Sequence, residues 1–561
     1  MLKPALAAAL LLAATAHAAP STGASSAAAD RWWSHVTELA DDKYEGRLTG
    51  TPGYQRAADY TAAQFRALGL KPAGEGGSHF QTVRFEEQVV DQNASKVSLD
   101  GKPLAVGHDL LIGRQPQLKE VSDAPLVFIG YGLHLPDAGY DDFAGQDLRG
   151  KIVVYVNGGP SNLSGALKSH ARAAEFWPAM ERAGAVGAIV LNNPKSSDIP
   201  WERQRLLAGQ SGMVLADQAL RDAKQRHFVA TFNPAEADRL FEGTGHSFAE
   251  LIALQEKGAP LPRFDIGKML SANVVYTTRD VSAPNVAAML PGSDPKLARE
   301  YVVLTAHLDH LGIGAPINGD RVYNGAMDNA SGVASLIETA RVLKPKRPKR
   351  SVLFVAVCAE ERGLLGSRYY ANRPTVAPGA IVADVNMDMF LPLFPLKTMV
   401  AYGADESSLG PVARAAAAAH GLTLVPDPAP DRNIFTRSDQ YSFVRTGVPS
   451  LMLKFEGVTP EEKGLEAAFL KSRYHAPSDD AGQPLDKAAA AAFNSYLADV
   501  ITRVADAPDR PQWNSDSFFK RFAKDGAGAV RTGRYAPRPP SVGDHAHPGG
   551  RRLSPAPQLG G

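Results

Sequence analysis

Hydrophobic positions along this chain follow two periods. In Tyr54–Leu70, Ala57, Tyr60, Ala63 and Leu68 fall at helical spacing, and Gly69 marks the stop. His79–Val90 alternates as a half-buried strand does. From Val121 to Asn193 the pattern predicts strands over Leu126–Ile129, Lys151–Val156 and Val186–Asn192, with a helix over Ala171–Ala183. Residues 194–270 are mixed, include a strand-like His227–Phe232, and are assigned no chemistry of their own. Between Ala283 and Ala507 strand and helix alternate. Strands fit Tyr301–Ala306, Ser351–Val357, Ala380–Val385, Thr398–Tyr402 and Val448–Lys454; helices fit Asn329–Leu343, Ser407–His420, Ser438–Thr446 and Asp486–Ala505. Such alternation predicts an α/β fold built on a doubly wound sheet.

The two ends break the pattern. Residues 1–18 combine Lys3, an apolar run too short to span a membrane, and an Ala16-His17-Ala18 cleavage site, which together predict a signal peptide and export to the periplasm or medium. Residues 19–29 read as a flexible spacer. Residues 525–561, rich in Gly, Pro and Arg with almost no core formers, read as a disordered tail.

Composition narrows the function classes. With 561 residues, 44% of them hydrophobic, the chain is long enough for two or three globular units. A net charge of +1 gives no overall electrostatic reason to expect nucleic acid or an anionic membrane as partner. The single cysteine, Cys358, excludes an internal disulfide, a Cys-based zinc finger and a CxxC redox centre. Any metal must therefore be held by His, Asp and Glu.

Such residues cluster after predicted strands: His307 and Asp309, Glu360 and Glu361, and Asp388; Asp328 and His475 fall in adjoining turns. Ligands of open α/β sheets sit at the carboxyl ends of the strands. Singly, each residue has a plainer reading: Asp328 as a helix N-cap, the histidines as satisfied buried side chains, the glutamates as a solvated face. Together, two imidazoles and three carboxylates without a thiolate are the donor set of a paired zinc, cobalt or manganese site. A sixth carboxylate, one of the adjacent glutamates, is then free to act as general base. Cys358 reads as a buried apolar residue rather than a ligand.

The segments HLDH, MDNASG, EERGLLGS, NMDM and YHAPSDD, in that order, resemble the five motifs of the co-catalytic di-zinc aminopeptidases. This metallopeptidase family also contains glutamate carboxypeptidase, the transferrin receptors and the glutaminyl cyclases. The likeness implies a mixed, doubly wound sheet with helices on both faces. Residues 30–90, through GRLTGTPGYQRAADYTAAQFRALGLKP, resemble the family's opening segment and would join a catalytic domain at 271–510. Residues 115–270 would be a smaller, β-rich protease-associated insert, to which YGLHLPDAGYDDFAGQDLRGKIVVYVNGG is similar. The resemblance further implies two Zn2+ ions, with Asp328 bridging, His307 and Asp388 on one ion, Glu361 and His475 on the other. Glu360 would be the general base, and Asp309 would hydrogen-bond the His307 imidazole. The implied activity is removal of N-terminal residues from peptide substrates. Carboxypeptidase action is the alternative within the family, and it would need basic residues such as Arg362, Arg432, Arg437 or Arg473 beside the site. A catalytically silent, receptor-like binding protein is the alternative outside the enzymes.

Overall fold

Ten strands form the main sheet of the computed structural model, which describes residues 22–523 apart from 115–117, 196, 198, 430, 431 and 433. The labelled strands are β1 Phe80–Val90, β2 Gly212–Leu215, β3 Tyr276–Leu290, β4 Tyr301–His307, β5 Ser351–Val357, β6 Ile381–Asn386, β7 Thr398–Tyr402, β8 Thr423–Val425 and β9 Ser450–Phe455. They lie in the spatial order β2-β1-β3-β5-β4-β6-β9-β7-β8, and Lys71–Pro72 adds a short tenth strand beside β3. The inner four, β5-β4-β6-β9, are parallel, while β1, β2 and β3 pair antiparallel. The sheet is therefore mixed, as expected.

Alternation along the central strands sorts the core. Val302, Leu304 and Ala306 of β4, with Val352, Phe354 and Ala356 of β5, face one apolar cluster. Helices α1 Thr22–Leu39, α2 Pro52–Ala67, α3 Ser331–Leu343 and a long C-terminal helix over Lys487–Asp506 cover much of it, with Leu409–Ala419 packed at its side. Val303, Leu353, Val355 and Val357 face the other side, against Tyr370 and Phe443 on two short helices, Leu365–Asn372 and Gln440–Val444. A strand buried on both faces reads as a continuous apolar run, which is why SVLFVAV was legible as a central parallel strand.

Two boundaries differ from expectation. Residues 22–29 are not spacer: α1 begins at Thr22, and Ala29 and Trp32 are already buried. The signal peptide at 1–18 and the tail at 525–561 lie outside the described residues. The insert is also larger than 115–270. Its eight-stranded sheet starts at Lys96–Leu99 and ends at Phe264–Asn273, and its middle strands Val121–Phe128, Ile152–Val156, Gly187–Leu191 and Phe228–Phe232 run parallel. Gly212–Leu215 leaves that unit to pair with β1 of the main sheet. The two units share a core, in which Leu126 and Val154 belong to the same cluster as Tyr402, Tyr441 and Met452.

Arg47, in the opening segment, fastens the N-terminus to the strand ends. Its fully buried guanidinium donates to the carbonyls of Leu308 at 2.9 Å, Leu39 at 2.7 Å, Asn324 at 2.5 Å and Gly325 at 2.8 Å. Replacing it by Met would leave four buried acceptors unpaired. Unfolding by urea should show Arg47→Met destabilised by at least ~3 kcal/mol, since each orphaned polar group costs about 1–3 kcal/mol. A loss below 1 kcal/mol would mean that water reaches these carbonyls.

Candidate metal centre

Three adjacent strand ends build the site. His307 is the last residue of β4, the Glu360-Glu361 pair follows β5 on one side, and Asp388 follows β6 on the other. Asp328 and His475 come in from turns. Asp328 does not cap α3: the residue before the helix is Ala330, without a side-chain cap, and Asn329 Oδ1 accepts from Gly332 N instead. Asp328 is free to point elsewhere.

All five proposed ligands converge. His307 Nε2 lies 3.2 Å from Asp328 Oδ1 and 3.4 Å from Asp388 Oδ1. His475 Nε2 lies 3.2 Å from Asp328 Oδ2 and 3.3 Å from Glu361 Oε2. The two oxygens of Asp328 thus face different histidines. Burying three carboxylates together is costly without cations to compensate them. Nitrogen and oxygen donors alone, no thiolate among them, fit borderline divalent ions of the zinc type.

The adjacent glutamates have separate surroundings. Burial raises the Glu361 carboxyl, but His475 and His310 outweigh it and hold the group well below the usual carboxylate range. Glu360 has no hydrogen-bond or ion-pair partner for its carboxylate among the described residues; burial pushes it well up, and Asp388, Asp439 and Glu361 add to the rise against the pull of His307. Two neighbouring acids driven apart in this way mark a division between ligand and proton carrier. Burial pulls the His475 imidazole down, yet Glu361 and Asp328 hold it at about 10.

One positioning role is corrected. At His307 Nδ1 the acceptor is the Asp309 backbone carbonyl, 3.0 Å away; the Asp309 carboxylate stands 4.0 Å off. That carboxylate instead accepts from the amides of Glu360 at 3.1 Å and Glu361 at 3.3 Å, and so fixes the turn that aims both glutamates. Four non-glycine residues here hold left-handed backbone: Ala359 (φ 54°), Met389 (φ 45°), Leu391 (φ 53°) and His475 (φ 55°). Conformations of this kind cost ~1–3 kcal/mol each and persist where packing demands a particular side-chain direction.

Sequence reasoning passed over two residues inside its own motifs. His310 is fully buried, with Nδ1 2.8 Å from Glu361 Oε1 and 3.8 Å from Asp328 Oδ2. Asp479 accepts from the amides of Met327 and Asp328, both at 3.0 Å, and so holds the loop that carries Asp328. Of the four arginines weighed for a basic subsite, Arg432 and Arg437 line a 290 Å³ cavity with Glu360, Asp388 and His475. Arg362 turns to Gln210 and Arg473 to the Ser478 carbonyl. Cys358 is buried in the core, its Sγ 3.8 Å from the Ala283 carbonyl.

A mixed α/β sheet thus gathers buried histidines and carboxylates at its parallel strand ends, a donor set that suits a divalent metal ion. Residues 285–501 match the model of peptidase family M28. A protein of Aspergillus fumigatus named probable leucine aminopeptidase 2 is 26% identical over 348 residues, or 60% of this chain. The chain spans 58% of that relative's own length. A probable zinc metalloprotease of Pyrenophora teres f. teres is 36% identical over 110 residues, 19% of this chain and 23% of its own. Among solved structures, the aminopeptidase from Aneurinibacillus sp. strain AM-1 superposes with a TM-score of 0.51 at 19% identity, covering 86% of this chain and 95% of that one. That likeness is one of fold.

Proposed function

We propose that this protein is an exported zinc aminopeptidase that removes N-terminal residues from peptides with two metal ions and a glutamate base. The observation that carries the reading is the division of Asp328, whose two oxygens face His307 with Asp388 on one side and His475 with Glu361 on the other. A bridging carboxylate is what holds two mutually repelling cations a few ångströms apart. His307, Asp388 and Asp328 would hold one ion; His475, Glu361 and Asp328 the other, with cobalt or manganese as possible substitutes for zinc. When bound, the pair acidifies a water and polarises the scissile carbonyl.

The remaining work falls to the chain. Glu360, whose carboxylate has no partner among the described residues and lines the cavity, takes the proton of the attacking water and returns it to the departing amine. Asp309 keeps Glu360 and Glu361 in their separate directions through their amides. Met389, Leu391 and Met452 give the 290 Å³ cavity an apolar wall suited to the side chain of the residue removed. The unit with the eight-stranded sheet, similar in sequence to a protease-associated domain, lines a neighbouring cavity rather than this one.

Purified secreted protein should release free amino acid from leucyl chromogenic substrates and unblocked peptides, lose that activity with a chelator, and begin near Ala19 on N-terminal sequencing. Cleavage of N-blocked peptides alone would replace the aminopeptidase reading by the carboxypeptidase one. Protein without bound zinc or chelator-sensitive activity would point to a receptor-like binding role, and a start at Met1 would remove the export signal.

A further inference from the structure

One segment of the insert lies against the metal centre. It comprises the short helix Trp201–Leu207 and the turn to Gln210, between the insert strand Gly187–Leu191 and β2 of the main sheet. Three of its side chains reach the catalytic unit. The Arg203 guanidinium donates to the Tyr474 carbonyl at 3.0 Å and to the Lys471 carbonyl at 2.7 Å. Leu207 shares a small apolar cluster with Leu311 and Tyr323. The Gln210 carboxamide donates to the Leu311 carbonyl at 3.4 Å and accepts from Arg362 Nη1 at 3.1 Å.

Each side chain touches a residue adjoining the cluster: Tyr474 precedes His475, Leu311 follows His310 and Arg362 follows Glu361. Those three belong to one half of it. His475 Nε2 lies 3.3 Å from Glu361 Oε2, and His310 Nδ1 lies 2.8 Å from Glu361 Oε1. The other half is braced by the catalytic unit itself. Beside His307, the Leu308 carbonyl accepts from Arg47 at 2.9 Å. Beside Asp388, Met387 donates to the Thr305 carbonyl at 2.9 Å and accepts from Asn329 Nδ2 at 2.8 Å.

Arg203 is suited to its place. The Lys471 carbonyl lies in the last turn of the helix Pro460–Ser472, where carbonyls lack intrahelical partners and a cation is favoured. A little further on, His475 holds a left-handed backbone (φ 55°) that its surroundings must impose. A guanidinium presents its donors in a rigid fork, so it binds both carbonyls at once and fixes the turn that leads to the imidazole.

We infer that residues 201–210 of the insert position the ligands of one metal ion, the one assigned to Glu361 and His475, with Arg203 as the principal positioning residue. The inference rests on the two-ion reading. The ion at His307 and Asp388 is positioned by residues of the catalytic unit.

Zinc titration of the metal-free full-length protein by calorimetry reads both ions without turnover. Arg203→Met should weaken one of the two binding steps by at least about tenfold and leave the other unchanged, since altered support of a ligand costs about 10–100-fold in affinity. Arg203→Lys, which keeps one donor group, should recover part of the loss. Gln210→Leu should weaken the same step, and it repeats the test at a second contact if Arg203→Met does not fold. Asp222→Asn is the control: it breaks contacts of 2.6 Å to Arg368 and 2.8 Å to Arg445 elsewhere on the insert, and should lower the thermal midpoint without moving either step. Double variants identify the ion. Added to His475→Ala, Arg203→Met should cost nothing more; added to Asp388→Ala, it should weaken the ion that remains.

Two zinc ions in the wild-type chain, with neither step or both equally weakened in Arg203→Met and Gln210→Leu, would overturn the inference and leave the two-ion reading standing. Additive losses in the His475→Ala background would overturn it too. A single zinc in the wild-type chain removes the two-ion reading; if Arg203→Met weakens that zinc the positioning role stands, and if not it falls as well.

Discussion

Glu360→Gln is expected to lower kcat by about a thousandfold while leaving bound zinc and KM close to wild type. General base catalysis contributes on the order of 10²–10⁴ in rate, and a carboxamide of the same shape cannot take the proton. The expectation of retained metal comes from the contacts. Glu361 meets His475 at 3.3 Å and His310 at 2.8 Å, whereas the Glu360 carboxylate meets neither. Turnover with a chromogenic substrate, set beside elemental analysis of the same preparation, decides it. Loss of zinc together with activity would make Glu360 a ligand; full activity would move the base elsewhere. The mirror variant, Glu361→Gln, should lose metal.

On the two-ion reading proposed above, Asp328→Ala is expected to abolish activity and to strip bound zinc, with metal affinity down by at least a hundredfold. Each half of the cluster borrows one oxygen from this residue, at 3.2 Å from His307 and 3.2 Å from His475. Removing it leaves each ion one donor short and removes the negative charge between two cations. Changes merely around a ligand already cost 10–100-fold in metal affinity, so loss of a shared ligand should cost more. The thermal midpoint should fall as well, because an ion that binds only the folded chain stabilises it. A variant that keeps both ions would show that Asp328 bridges nothing.

The sequence carried the site because its chemistry is concentrated in short segments. HLDH, EERGLLGS and NMDM each follow an apolar run that reads as a strand, so strand-end placement followed from local pattern. The misreadings share one origin, interactions between residues far apart in the chain. Helix α1 begins among small residues that resemble a linker; its place is set by packing against α3 and the C-terminal helix. Strand β3 contains Pro284 and polar residues that argue against a strand, and it is held by pairing with β1 and β5. Asp309 keeps a positioning role, but through the amides of Glu360 and Glu361, a choice made by the turn after β5.

The amino-acid sequence by itself determined the fold class, the donor types available for metal and the six side chains that meet at the site. It could do so because periodicity and motif chemistry are local properties of the chain. Tertiary structure alone decided which oxygen of Asp328 faces which histidine and which of two adjacent glutamates the histidines engage. It also set Arg47 against three carbonyls more than 260 residues away, and it placed Arg432 and Arg437 of the catalytic unit beside Arg114, Lys168 and Arg172 of the insert. Direction and proximity depend on how distant segments pack. For that reason a neutral count of 60 bases and 59 acids contains a buried gathering of carboxylates and histidines at one end of the sheet.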